Sequence, residues 1–258
     1  NFATKNIKHL GVDPSANVVA EAIKHGVQSI VSFFGLSSSQ NIKSEYGNAD
    51  AIISANVMCH LPDLNDIAKG AFNLLNDKGV LIFEDPYLGS MFDKVSYDQI
   101  YDEHVYIFSA LSASNIFERH GFELINLAPQ ETHGGSMRYV FAKKGARTVE
   151  PIVEEILSSE LNKGFNLEKT YIQFKENCEK SKSRLVKILQ DAKNAGKSVA
   201  GYGATSKSTT ILNYCGIGPD LISYISDTTP IKQNTVTPGT HIPVQSYEYF
   251  KDNIPDVI

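Results

Sequence analysis

The sequence predicts an α/β fold in two parts, separated by a helical connector. Three observations predict it. Apolar runs alternate with amphipathic stretches over residues 1–148, the β–α rhythm of a largely parallel sheet. From about Val149 to Ala195 the chain turns rich in Glu, Lys, Leu and Ile, with apolar residues at helical spacing. Over residues 197–258 the α/β alternation restarts.

Taken in order, Ile7–Val12 reads as a strand, Ala16–His25 as a helix and Gln28–Phe34 as a second strand. Ile42–Tyr46 reads as a short helix. Ala49–Ala55 is a buried-strand run, Leu64–Leu75 a helix and Gly79–Glu84 another strand. Ser109–His120 has helical spacing in Leu111, Ile116 and Phe117, and it stops at Gly121, a residue suited to a left-handed terminator. Phe122–Leu127 and Met137–Lys143 read as an antiparallel hairpin turning near His133-Gly134-Gly135 and closing one sheet edge. The Glu/Lys-rich stretch divides into two amphipathic helices near Gly164. In the tail, Ser198–Tyr202 and Leu221–Ser226 are strands flanking a helix over Lys207–Tyr214. Pro230–Pro243 reads as a loop, Tyr247–Phe250 as a short helix and Asp256–Ile258 as the opening of a strand.

Composition narrows the function. The 258 residues carry 24 Lys plus Arg against 29 Asp plus Glu, a net charge of -5. This mild acidity argues against broad binding to nucleic acid or to a membrane surface. No run approaches the roughly 18 apolar residues of a membrane span. Cys59, Cys178 and Cys215 lie far apart in the chain. So sparse and odd a set points to a reducing, cytoplasmic setting, away from a disulfide framework or a cysteine zinc site. No metal ligand set is assigned.

Five motifs carry chemistry. Asp13, in Gly11-Val12-Asp13-Pro14-Ser15, ends the first strand, where an acid accepts from a ribose diol or simply caps the next helix. Asn56 and His60 follow the Ala49–Ala55 strand, at the end of a sheet where ligands bind; an ordinary loop histidine is the rival reading. Tyr101-Asp102-Glu103-His104 is the densest titratable cluster. Acids near a helix start offset its dipole, but that role leaves Tyr101 and His104 unexplained, and His104 suits a general base. His133-Gly134-Gly135-Ser136-Met137-Arg138 places two glycines between His133 and Arg138, suited to an anion or to a plain hairpin turn. Gly201-Tyr202-Gly203-Ala204-Thr205-Ser206-Lys207 lies between a strand and a helix, as a phosphate cradle does. Ser206 stands where a third glycine would complete a dinucleotide fingerprint, and Asp227 falls where a ribose-binding acid belongs.

The segments SANVMCHLPDL, IYDEHVYIFS, HGGSMR, GYGATSKSTTILNY and TPGTHIPV occur in that order. Together they resemble the tetronitrose-pathway type of sugar C-methyltransferases, which act on nucleotide-linked deoxy-ketosugars. The resemblance spans essentially the whole chain. It implies an incomplete Rossmann-like methyltransferase domain at residues 1–148, lacking its first strand and glycine loop. A helical connector follows at 149–196, then a second, partial Rossmann-like α/β domain at 197–258 that receives the nucleotide sugar. On this reading the chain is a fragment at both ends. Zinc belongs only to an N-terminal module outside this sequence.

The resemblance also implies roles. Asp13 matches the acid on the ribose of S-adenosylmethionine, and Asn56 is assigned to the same donor. His60, Tyr101, Glu103 and His104 match residues lining the reacting sugar, with His104 the base. His133, Arg138, Ser206 and Lys207 fall near the nucleotide sugar. Two other readings remain at this point. One is an NAD-dependent sugar-nucleotide oxidoreductase, motivated by the Gly201–Ser206 turn and Asp227. The other is a non-catalytic nucleotide-sugar-binding module. Oligomeric state is not legible.

Overall fold

A computed structural model of the protein describes residues 7–258. The chain forms two compact units. Of the described residues, unit 1 holds 7–85, 108–131 and 136–159; unit 2 holds 86–107, 132–135 and 160–258. The α/β class expected from the sequence is what the chain adopts.

Unit 1 opens with β1 (Gly11–Asp13), α1 (Ala16–Lys24) and β2 (Ser29–Val31), a right-sized β–α–β unit whose strands pair in parallel. Then come α2 (Leu36–Tyr46), β3 (Ala49–Ala55), α3 (Leu64–Leu74) and β4 (Leu75–Pro86). Asp63 caps α3 by accepting from the Asn65 and Asp66 amides. β3 and β4 pair in parallel, with Ser54 opposite Phe83 and Ala55 opposite Glu84.

After α4 (Leu88–Lys94), which belongs to unit 2, the chain returns to unit 1 with α5 (Ala110–Glu118). Ser109 and Ser112 form its reciprocal capping box. β5 (Phe122–Gln130) and β6 (Ser136–Lys143) then make the antiparallel hairpin expected from the sequence. The sheet order is β3-β4-β6-β5, so β5 is an edge strand, as anticipated.

The core of unit 1 follows from strand alternation. On β4, Leu81, Phe83 and Asp85 point one way and are fully buried, while Ile82 and Glu84 point the other. Phe83 stacks on Tyr139 of β6 with ring centroids 4.7 Å apart and meets Phe117 of α5 at 5.4 Å. This aromatic layer joins β4, β6 and α5.

Unit 2 contains α4, then α7 (Glu168–Asn194), reached through α6 (Pro151–Asn162), which starts in unit 1. The break between the last two falls at Gly164, which has φ of +73°, so the expected division holds. Phe92 of α4 stacks on Phe174 of α7 at 4.6 Å and meets Phe165 edge-on at 5.4 Å. The tail follows as β7 (Ala200–Tyr202), α8 (Ser206–Cys215), β8 (Tyr224–Ser226), β9 (Thr235–Val236), β10 (Pro243–Gln245) and α9 (Tyr247–Asp252).

The tail sheet corrects one sequence reading. Two strands and a stub were expected; the observed order is β7-β8-β10-β9. β7–β8 and β8–β10 are parallel, and β9–β10 is antiparallel. Pro238, Gly239 and Pro243 made residues 230–243 read as a loop. A proline is tolerated as the first residue of a strand, and Pro243 takes that place. The final stretch contributes one parallel bridge, Val199 to Val257.

Candidate functional site

In unit 1 the candidate residues gather at the C-terminal ends of parallel strands. Asp13 ends β1, and its Oδ1 accepts from the Ser15 amide at 2.8 Å. This bond closes a local turn ahead of α1, whose N-cap residue Ser15 has no side-chain cap, and it uses only one of the carboxylate oxygens. Asn56 follows β3 with φ of +54°, a left-handed conformation that asparagine tolerates better than most residues. Its amide donates to Glu84 O at 2.7 Å, which extends the β3–β4 pairing by one residue.

Immediately after Asn56, Met58–His60 forms one 3-10 turn. Cys59 is fully buried in it, and Asp85 lies beneath. The Cys59 amide donates to Asp85 Oδ1 at 3.5 Å. Further donors reach this carboxylate from the Cys59 thiol and the Met58 backbone. Burial pushes the Asp85 carboxyl up to about 6, against the lowering effect of those donors and of nearby His60. Burial, with Asp85 beside it, also pushes the Cys59 thiol well up, so Cys59 is an inert structural thiol. Asp85 Oδ2 and Ser54 Oγ are buried without a hydrogen-bond partner. His60 is half-buried on the turn that Asp85 supports.

Arg138 sits on the exposed side of β6, alternating with buried Met137 and Tyr139. Its Nη2 and Nε donate to Glu84 Oε2 at 2.8 and 3.1 Å, and Nη2 also reaches Gln130 Oε1 at 3.4 Å. The sequence grouped Arg138 with His133; the structure assigns Arg138 to unit 1 and His133 to unit 2.

In unit 2 the Tyr101–His104 cluster forms one turn, closed by His104 N–H donating to Tyr101 O at 2.9 Å. The two rings lie 4.1 Å apart, centroid to centroid. His104 Nδ1 is 2.8 Å from the Gln99 carbonyl oxygen, and Nε2 is 2.9 Å from Tyr101 Oη. A carbonyl oxygen only accepts, so Nδ1 carries the proton. In the neutral ring, Nε2 is then the basic nitrogen and takes the Tyr101 hydroxyl hydrogen. Glu103 is exposed on the same turn.

The 132–135 loop is held by its carbonyls. His133 O accepts from Gln99 Nε2 at 2.6 Å and from Lys207 Nζ at 3.3 Å. Gly134 O accepts from Lys94 Nζ at 2.5 Å, and Gly135 O accepts from the Tyr87 amide at 3.1 Å. The structure thus brings Lys207 to His133. Ser206, exposed, is the first residue of α8. Thr205 and Ser208 cap that helix reciprocally.

Asp227 is buried, and its carboxylate accepts from the Ala204 amide at 2.8 Å, the Thr229 amide at 2.8 Å and Lys232 Nζ at 3.4 Å. Burial alone would raise its pKa, but these donors hold it down at about 2. Most of its accepting capacity is spent on its own chain. The residue that motivated a nicotinamide-dinucleotide reading is therefore a loop anchor.

Two residues of these clusters escaped the sequence reading. Gln99 and Asp85 are single polar residues in otherwise unmarked text, and only their burial and partners single them out. Alternation of buried residues along β4 was the one available signal for Asp85.

Two family models match the chain. A model of the C-methyltransferase C-terminal domain matches residues 131–258, and a methyltransferase-domain model matches residues 1–127. The C-methyltransferase NovU of Streptomyces niveus is 33% identical over 249 residues, which is 96% of this chain. The chain spans 59% of the length of that relative. Among solved structures, a SAM-dependent methyltransferase from Anabaena variabilis aligns with 52% of this chain and 68% of its own, at 17% identity and a TM-score of 0.42. The magnesium protoporphyrin IX methyltransferase of Synechocystis, with bound SAH, aligns with 52% and 64%, at 16% identity and a TM-score of 0.40. Among the described residues, no helix is long and apolar enough to cross a membrane.

Proposed function

The chain belongs to the C-methyltransferase family, and from that premise we propose that it methylates a carbon of a nucleotide-linked deoxy-ketosugar through an enolate. The observation that carries the reading is the hydrogen-bonded order Gln99 O, His104, Tyr101 Oη. It presents an imidazole with a proton on Nδ1 and, when the ring is neutral, its basic nitrogen beside a phenol.

The methyl donor is S-adenosylmethionine, and the residues of unit 1 fit it. Asp13 has a second carboxylate oxygen besides the one bonded to the Ser15 amide, at the end of a parallel strand. Ser54 Oγ and Asp85 Oδ2 are unpartnered polar atoms at the corresponding ends of β3 and β4. Asp13 and Asn56 are the residues proposed to hold it. When bound, the donor supplies an electrophilic methyl group on a sulfonium.

The chain's own residues do the rest. A ketone acidifies the C–H beside it; as the Tyr101 hydroxyl turns from Nε2 to the ketone oxygen, His104 Nε2 takes that proton as general base. The electron pair moves toward the ketone oxygen, giving the enolate. Tyr101 or His60 hydrogen-bonds the developing oxyanion, and Glu103 supports the cluster. His133, Arg138, Ser206 and Lys207 are proposed contacts for the nucleotide sugar. The imidazolium then releases its proton to solvent, restoring the base.

Calorimetry tests the donor assignment. S-adenosylhomocysteine is expected to bind and NAD(H) is not; the reverse would overturn the reading in favour of an oxidoreductase. Deuterium exchange tests the chemistry. His104→Asn is expected to keep donor binding and to lose both turnover and exchange of the ketosugar C–H with deuterated solvent. Retained exchange would remove His104 as the base.

A further inference from the structure

We propose that Gln99 is the positioning residue of the His104 base. The inference rests on the reading of His104 given above, and it concerns how this chain holds that ring. Gln99 makes two contacts of different kind. Its main-chain carbonyl accepts from His104 Nδ1 at 2.8 Å and so sets the tautomer and the ring plane. Its side-chain Nε2 donates to His133 O at 2.6 Å and so ties the same residue to the 132–135 loop.

The turn carrying Gln99 is itself anchored. Tyr97–Gln99 is a 3-10 turn closed by Gln99 N–H on Ser96 O. Tyr97 is buried, packs on Tyr214 of α8 at 5.2 Å and reaches Cys215 Sγ at 3.5 Å. The Gln99 carbonyl is therefore fixed from one side by α8 and from the other by the loop.

Energetics separates positioning from packing. Gln99 is 4% exposed, and its Oε1 is buried without a hydrogen-bond partner. The amide cannot be turned over to relieve this, because Oε1 would then face His133 O, acceptor against acceptor. An apolar residue of similar size would avoid the unpaired acceptor, and His133 O would keep Lys207 as a donor. Glutamine is thus a poor choice for stability alone and a good one for holding His104.

The test uses Gln99→Leu and Gln99→Glu. Long-range proton–nitrogen NMR reads the His104 tautomer without substrate. The wild-type ring is expected in the Nδ1–H form, and Gln99→Leu is expected to mix the two tautomers. Gln99→Leu is expected to melt at or above the wild-type temperature, yet to lose about 100-fold in kcat with the donor KM unchanged. Gln99→Glu is expected to regain activity relative to wild type as pH falls, because a protonated carboxyl again donates to His133 O. Wild-type kcat in Gln99→Leu, a kcat loss matched by lower melting, or an Nε2–H ring in the wild type would each overturn the proposal. A wild-type Nδ1–H ring that mixes in Gln99→Leu, in a protein that exchanges no ketosugar proton, would sustain the positioning role and defeat the enzymatic reading.

Discussion

Tyr101 Oη and His104 Nε2 lie 2.9 Å apart, with the opposite ring nitrogen pinned to a main-chain carbonyl. The phenol is thus placed on the nitrogen that does the chemistry. Tyr101→Phe removes this partner and leaves the ring's other anchor. Deuterium exchange of the ketosugar is expected to fall about 100-fold, within the usual range for a positioned proton-transfer group. Binding of S-adenosylhomocysteine, followed by calorimetry, is expected to stay the same. Unchanged exchange would show that His104 works without the phenol.

Asp85 makes stability depend on pH. Its carboxyl rises from 3.8 to about 6 in the folded chain, through burial. The folded state therefore binds this proton more tightly than the unfolded state does. The stabilisation is complete below about pH 4 and is lost as pH rises through about 6; by pH 7 the loss is about 3 kcal/mol. Asp85→Asn carries no charge to bury. Its melting temperature is expected to climb relative to wild type between about pH 4 and pH 6, and a constant difference would contradict this account.

Asp227 behaves in the opposite sense. Its carboxyl is held down at about 2 by donors from Thr229, Ala204 and Lys232, which outweigh its burial. That stability is present above about pH 4 and is lost as pH falls through about 2. Asp227→Ala leaves the Ala204 and Thr229 amides and Lys232 without their shared acceptor. A loss of about 3 kcal/mol at neutral pH is expected in denaturant titration.

Gly135 has φ of +126°, and a Cβ there would overlap the Ser90 side chain. Gly135→Ala is expected to cost about 1–3 kcal/mol through backbone strain alone. Adding Ser90→Gly opens the space and is expected to recover the steric part only. Thermal melts of the single and double variants separate the two contributions.

Much of unit 1 was legible because its signals are local. Ala49–Ala55 and the β5–β6 hairpin follow from apolar runs and glycine placement, and α5 from apolar spacing and its Gly121 stop. Strand β10 was hidden because Pro243 disguises a strand that its neighbours, not its own propensity, hold in place. The Tyr101–His104 cluster was visible as four adjacent polar residues. Its geometry was not, because hydrogen bonds over three to five residues depend on which turn the backbone takes.

The sequence by itself determined the alternating α/β rhythm, the helical break at Gly164 and the chemical types at Asp13, Tyr101 and His104. Their reason is short-range: periodicity, backbone freedom and side-chain chemistry are written in adjacent letters. Only the tertiary structure decided that Asp227 is a loop anchor, that Arg138 pairs with Glu84, and that Gln99 and Asp85 matter. Those facts depend on contacts between residues 23 to 54 positions apart, and on burial, which no stretch of sequence contains.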